Sequence, residues 1–249
     1  MNNNPNQHLQ HMAKYELPLI INGSLNLDLW HLAGVPLGDG NFWMYQDRNS
    51  LISMGDGEFT IAIQRFSASH DAVQIFDNPK QLYLTKKEYQ PGARGILGFS
   101  CTMRTELLKG NTQDYRDGFG AFNVLDFRTG MVFDIVTNGT KAWVIYERLF
   151  IPGVTTPQEA FTHVIPIDRY KVGNSPLCCS VVYNRNADST EYYIDGILVH
   201  RAEKIPVKVD FLQTGFGIIT LHPIENGKSV SCKGQGAKGT WSDFECYSD

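Results

Sequence analysis

Hydrophobic and polar positions in this chain alternate in short runs instead of recurring every three or four residues. Runs such as "EFTIAIQRF", "QLYLT", "GFSCTMRTELL", "GAFNVLDF", "GMVFDIVT", "KAWVIYERLFI", "LCCSVVYN", "EYYIDGILVHR", "FGIITLH" and "FECYS" are mostly rich in Val, Ile, Thr, Tyr and Phe. Bounded by Gly, Asn, Asp or Pro, they predict strands. No window of a dozen residues carries a 3.6-residue period, so helices are expected to be few and short. In "KAWVIYERLF", Ala142, Val144, Tyr146 and Arg148 share one side, and Trp143, Ile145, Glu147 and Leu149 the other. Two antiparallel sheets packed face to face satisfy such two-sided strands. Turn residues separate the runs at "RTG" (128–130), "TNGT" (137–140), "NRNADS" (184–189) and "ENGK" (225–228). No repeat or compositional shift marks a second domain. The polar, Asn-rich residues 1–14 are expected to be a disordered tail, and 15–249 a single all-β domain.

A chain of 249 residues, 42% of them hydrophobic, can enclose a large core. Its formal charge of -4 argues against a nucleic-acid partner, whose phosphates favour a strongly basic face. The apolar run "LPLII" is far shorter than a membrane span. Five cysteines, two of them adjacent (Cys178 and Cys179) and none in a C-x-x-C pair, predict neither a disulfide framework nor a zinc site. Buried reduced thiols are expected, and with no signal-peptide pattern at the start, a cytoplasmic location. No D-x-D-x-D-G run calls for a metal, and "GQGAKG" (234–239) does not follow the strand-to-helix pattern of a phosphate loop. No metal and no cofactor are therefore expected.

Taken in order, "GFSCTMRTELLKG", "DGFGAFNVLDFRTGMVFDIVTNG", "CCSVVYNRNADSTEYYIDGILVHR" and "FGIITLHPIENG" resemble the concanavalin A-like jelly roll of family 16 glycoside hydrolases, the laminarinase and licheninase group. Here "GAFN" stands where that family has "PAFW", and "YYIDGILV" resembles its "WYVDGxLV". The resemblance covers residues 55–249 and implies a sandwich of two curved antiparallel sheets with a ligand groove on the concave face. "GQGAKG" is similar to the glycine-rich turn before the last strand of that fold.

The family's catalytic strand reads E-[IL]-D-x-x-E or E-[IL]-D-x-E. Laid on "VFDIVT", it places Val132 at the nucleophile, Asp134 at the middle aspartate and Thr137, or Val136 in the shorter form, at the acid/base. A retaining glycosidase needs two carboxyl groups about 5–5.5 Å apart. Neither Val nor Thr supplies one, so hydrolysis by the family mechanism is not expected.

Asp134 remains, either hydrogen-bonded within the groove or touching ligand. Tyr146 and Glu147 follow on the next strand. Val132, Thr137, Trp143 and Phe122 are candidate lining residues, making the groove more apolar than a glycosidase's. Arg104 and Glu106 lie in "RTEL", which is similar to the R-[ST]-E-L-R strand of jelly-roll alginate lyases; an ion pair on a polar face is the ordinary alternative. His163, His200 and His222 lack metal-ligand spacing.

An apolar groove with a few polar groups suits a small organic molecule as well as a sugar. The expected activity is a cofactor-independent cyclase or isomerase that holds a reactive conformer, with Asp134, Tyr146 and Glu147 catalytic. Val132, Thr137, Trp143, Phe122, Arg104 and Glu106 are the expected ligand-binding set. A lectin-like protein, a structural domain without a site, and a lyase or residual glycosidase stay open. The expected partner is a small-molecule or oligosaccharide ligand, with no nucleic acid and no membrane; oligomeric state is not legible.

Overall fold

The computed structural model describes residues 27–36, 40–69, 76–77, 80–168 and 175–249. The expected tail, 1–14, lies outside them.

The first strands are β1 (Trp30–Leu32), β2 (Gly34–Pro36), β3 (Phe42–Met44), β4 (Ser50–Gly55), β5 (Glu58–Ile63), β6 (Phe76–Asp77) and β7 (Gln81–Thr85). Next come β8 (Ile96–Leu108), β9 (Phe119–Asp126), β10 (Met131–Thr137), β11 (Ala142–Arg148), β12 (Phe161–Pro166) and β13 (Leu177–Asn184). The last are β14 (Ser189–Ile194), β15 (Ile197–Glu203), β16 (Gln213–Ile219), β17 (His222–Glu225), β18 (Lys228–Ser229) and β19 (Gly236–Ser248). Helix among the described residues is confined to two single 3-10 turns, Leu27–Leu29 and Tyr115–Asp117.

Two seven-stranded sheets dominate, in the orders β1-β7-β16-β9-β10-β11-β12 and β15-β14-β13-β8-β19-β5-β4. Every pairing within them is antiparallel. Between them lies one large core to which both contribute. Phe133 of the first stacks on Tyr183 of the second at 5.8 Å, and Phe216 on Trp241 at 5.4 Å. Such offset ring pairs add to the burial of large apolar surfaces. The molecule is thus the two-sheet sandwich that the strand pattern implies, in the jelly-roll form that the resemblance implies.

Local details depart from the sequence reading. "EYYIDGILVHR" is two strands, because Asp195 (φ 49) and Gly196 (φ 75) form the two-residue turn of a hairpin. Gly236 and Gly239 lie within β19 rather than in a turn before it; a Cβ on Gly239 would sit 2.2 Å from the Trp241 ring. Cys101, Cys179 and Cys246 are buried thiols, whereas Cys232 is exposed.

The first sheet has two unlike faces. Phe122, Val124, Met131, Phe133, Ile135, Ala142 and Val144 point into the shared core. The alternate residues point outward and are covered as well. Leu82, Leu84, Leu125, Val132 and Leu149 pack under Ala33, Val35, Tyr45 and Ile151. Phe119, Ala121, Val136, Trp143, Ile145 and Ile219 form a second patch with Leu221. The face that the resemblance makes a groove is therefore largely roofed.

Candidate functional site

The roof leaves a small cavity of about 40 Å³, walled by Leu82, Leu125, Val132, Ile145, Leu149 and other apolar side chains. Asp134, Glu147, Asn123 and Tyr45 also line it. Strand alternation explains the carboxyls. Val132, Asp134 and Val136 share the outward side of β10, and Ile145 and Glu147 that of β11. The register sets Val132 beside Glu147 and Asp134 beside Ile145, so the two acids are diagonal neighbours on adjacent strands.

Asp134 also alters the backbone. The β9–β10 pairing runs through Met131–Asp126 and Val132–Leu125 and resumes at Ile135–Phe122. In the gap, the Asp134 carboxyl accepts the Val124 N–H at 3.2 Å. On the far side of β11, the Thr162 hydroxyl donates to Glu147 Oε1 at 2.6 Å. Each acid thus has one oxygen held by the scaffold. Among the described residues the other oxygen of each meets no protein donor.

Burial governs both protonation states. Asp134 is held well above the usual carboxylate range, first by loss of hydration and second by the Glu147 charge, against a small opposing pull from the Val124 N–H. Burial pushes Glu147 up to about 7, with the Thr162 hydroxyl acting in the opposite direction. Burial, followed by the Glu147 charge, raises the Tyr45 phenol. Near neutral pH Glu147 is therefore poised between its two forms, beside an Asp134 that burial and the Glu147 charge make a weaker acid than an ordinary aspartate.

The other expected site residues are scattered. Val132 walls the cavity, but Thr137 does not reach it: its hydroxyl donates to Lys141 O at 2.9 Å and accepts the Gly139 N–H at 3.0 Å. With no bulge in β10, Val136 shares the face of Asp134 and Thr137 falls out of phase. Trp143 lies on the outward face in the neighbouring patch. Phe122 is in the inter-sheet core, and Tyr146 packs on its edge, ringed by Phe133, Phe161 and His163. Arg104 and Glu106 are exposed on β8 in the opposite sheet, and no ion pair joins them. Three contributors escaped the sequence reading: Asn123, Tyr45 and Thr162. Parity in "GAFN" marks Asn123 as opposite to Phe122; nothing local marks the other two.

No group of three His, Cys, Asp or Glu among the described residues converges as a metal site. Nor is any helix there long and apolar enough to cross a membrane.

Sheet order and packing define the class: a concanavalin A-like jelly roll of the kind seen in laminarinases and lichenases. The beta-glucanase of Bacillus licheniformis has a TM-score of 0.53 at 15% identity, covering 93% of this chain and 96% of that one. The laminarinase catalytic domain of Thermotoga petrophila RKU-1 scores 0.54 at 14%, covering 94% and 98%. An endo-1,3-beta-glucanase of Streptomyces sioyaensis scores 0.55 at 11%, covering 91% and 92%. Identities this low show the fold alone. Residues 27–249 match the model of a family of unknown function, DUF6081, and the chain belongs to that family. No curated protein matches the sequence.

Proposed function

We propose that the protein is a cofactor-independent acid–base catalyst of the cyclase or isomerase type, acting on a small, mainly apolar molecule between Asp134 and Glu147. The observation that carries this reading is the pair of buried carboxyls in one cavity with mostly aliphatic walls. Low polarity strengthens hydrogen bonds from fixed groups to charge that develops in a reaction. Two acids with separated proton affinities divide the labour. Glu147, near neutrality, takes a proton from the substrate while Asp134 gives one to the atom where negative charge gathers. Asn123 adds a polar contact, and the aliphatic walls fix the conformer.

A cavity of about 40 Å³ admits water, not a substrate. Binding therefore requires the roof to lift. Ala33 and Tyr45 are tied to the sheet through backbone bonds with Leu82 at 2.9 and 3.3 Å, and β2 and β3 pair only with each other among the described strands. β2 and β3, with Ala33 and Tyr45 at their ends, are the lid in the proposal. The same roof disfavours an oligosaccharide lying along the face.

Native mass spectrometry and thermal-shift screening against neutral polyketide- or terpene-like compounds and against β-glucan oligosaccharides test the reading. A ligand at one hundred times its Kd stabilises by about 2.7 kcal/mol. Apolar compounds should bind and be converted by the native protein, and conversion should fail in Asp134→Asn and Glu147→Gln. Binding of glucans alone would make this a lectin-like protein, and release of reducing ends a residual glycosidase; either overturns the proposal.

A further inference from the structure

A second groove, of about 460 Å³, lies at the outward side of the other sheet and shares no lining residue with the carboxyl cavity. Its floor is the β8–β19 pair, in which Glu106 stands directly opposite Lys238 and Arg104 opposite Thr240. Opposed residues in an antiparallel pair have Cβ atoms about 4.5–5.5 Å apart, within easy reach of an ion pair for Glu and Lys. Yet Arg104, Glu106 and Lys238 form neither an ion pair nor a side-chain hydrogen bond among the described residues. Three charged groups of both signs surround the space instead of neutralising one another.

The wall is built rigidly. It is the β10–β11 turn, where the buried Asn138 donates to Thr112 O at 2.9 Å and accepts from Thr140 N at 3.0 Å and Lys141 N at 2.9 Å. Gly139 (φ 87) brings this turn against β8 so closely that a Cβ would sit 2.2 Å from Thr105 O. A side chain there would push the turn off the floor and change the groove.

We infer that this groove binds a hydroxyl-bearing acid, with the anionic group between Arg104 and Lys238 and the hydroxyls on Glu106 and the neighbouring threonines. Two cations against one anion leave one positive charge for the ligand to neutralise. Charge-assisted bonds from a guanidinium and an ammonium are the strong donors for a carboxylate or phosphate. Glu106 can only accept while ionised, which suits sugar-like hydroxyl donors. The volume lies within the range of small-ligand pockets, and its polar lining separates its ligand from the apolar one proposed for the carboxyl cavity. An acidic saccharide and a sugar phosphate both have this chemistry.

Titrating 15N-labelled protein with glucuronate, glucose 6-phosphate and glucose, at matched ionic strength, tests the site. Saturable amide shifts confined to β8, β19 and residues 138–140 are expected with an acid and not with glucose. Arg104→Ala and Lys238→Ala, both at exposed positions, should each weaken binding about tenfold or more. Asp134→Asn and Glu147→Gln should leave it unchanged, which separates this site from the proposed catalytic one. A response to glucuronate alone identifies a carboxylate ligand, and to glucose 6-phosphate alone a phosphorylated one. No saturable shift with either acid, an equal response to glucose, or binding indifferent to both cationic variants would overturn the inference.

Discussion

On the inward side of β10, Met131, Phe133 and Ile135 meet the opposite sheet; on its outward side, Val132 packs under a roof drawn from early strands and the Ile151 loop, Asp134 lines the cavity that this roof leaves, and Val136 joins the neighbouring patch around Leu221. Both sides are buried, but they differ in composition. The inward side is apolar and aromatic, with rings stacked across the gap. The outward side encloses two carboxyls in a setting that penalises their charge. Burying an ionisable group without a partner ion opposes folding. Aliphatic side chains at these two positions would avoid that cost, and the proposed function rests on the acids that stand there instead.

The largest expected effect breaks the inward side. Phe216 stacks on Trp30 at 4.8 Å and on Trp241 at 5.4 Å, so Phe216→Ala should cost about 3–5 kcal/mol in urea unfolding. A loss below about 1 kcal/mol would deny that this face is the principal core.

The next effect belongs to the outward side and depends on pH. Glu147 binds its proton more tightly folded than unfolded, its pKa moving from 4.5 to about 7. The resulting stabilisation is complete below the unfolded value and is lost as pH rises through the folded one. Stability should fall by up to about 3 kcal/mol between these limits, and Glu147→Gln should flatten that fall. An unchanged slope in the variant would remove Glu147 from the account.

A smaller change sharpens the contrast. Thr162→Val deletes the hydroxyl that holds Glu147 Oε1, so the Glu147 midpoint should move still higher, with a stability loss of about 1 kcal/mol at neutral pH. A downward movement would mean that the hydroxyl does not stabilise the carboxylate. The smallest effect is at the exposed face: Arg104→Ala should alter unfolding stability by no more than about 0.5 kcal/mol.

Much of this architecture is legible in "KAWVIYERLF". Its period of two separates Ala142, Val144 and Tyr146 from Trp143, Ile145 and Glu147, and the sheet keeps that division. The same parity explains why Phe122 and Asp134 face opposite ways, and why Val136 rather than Thr137 joins Asp134. "LCCSVVYN" and "QLYLT" are strands at their full length. The turn within "EYYIDGILVHR" was hidden because apolar residues continue on both sides of Asp195 and Gly196. The roof was not legible, since Ala33, Val35 and Tyr45 lie about a hundred residues from Asp134 and reach it only through the tertiary fold. Thr162 escaped for the same reason: its hydroxyl matters through β12 pairing with β11. Pattern within a strand gives the face; contact between distant strands gives the chemistry.

The most direct test of the central claim is a 13C NMR titration of the side-chain carboxyls, with Asp134→Asn and Glu147→Gln supplying the assignments. Glu147 is expected to titrate near 7, and Asp134 well above the ordinary aspartate range. If both carboxyls titrate near their ordinary values, about 4, they are hydrated rather than enclosed, and the acid–base pair at the heart of the proposal does not exist.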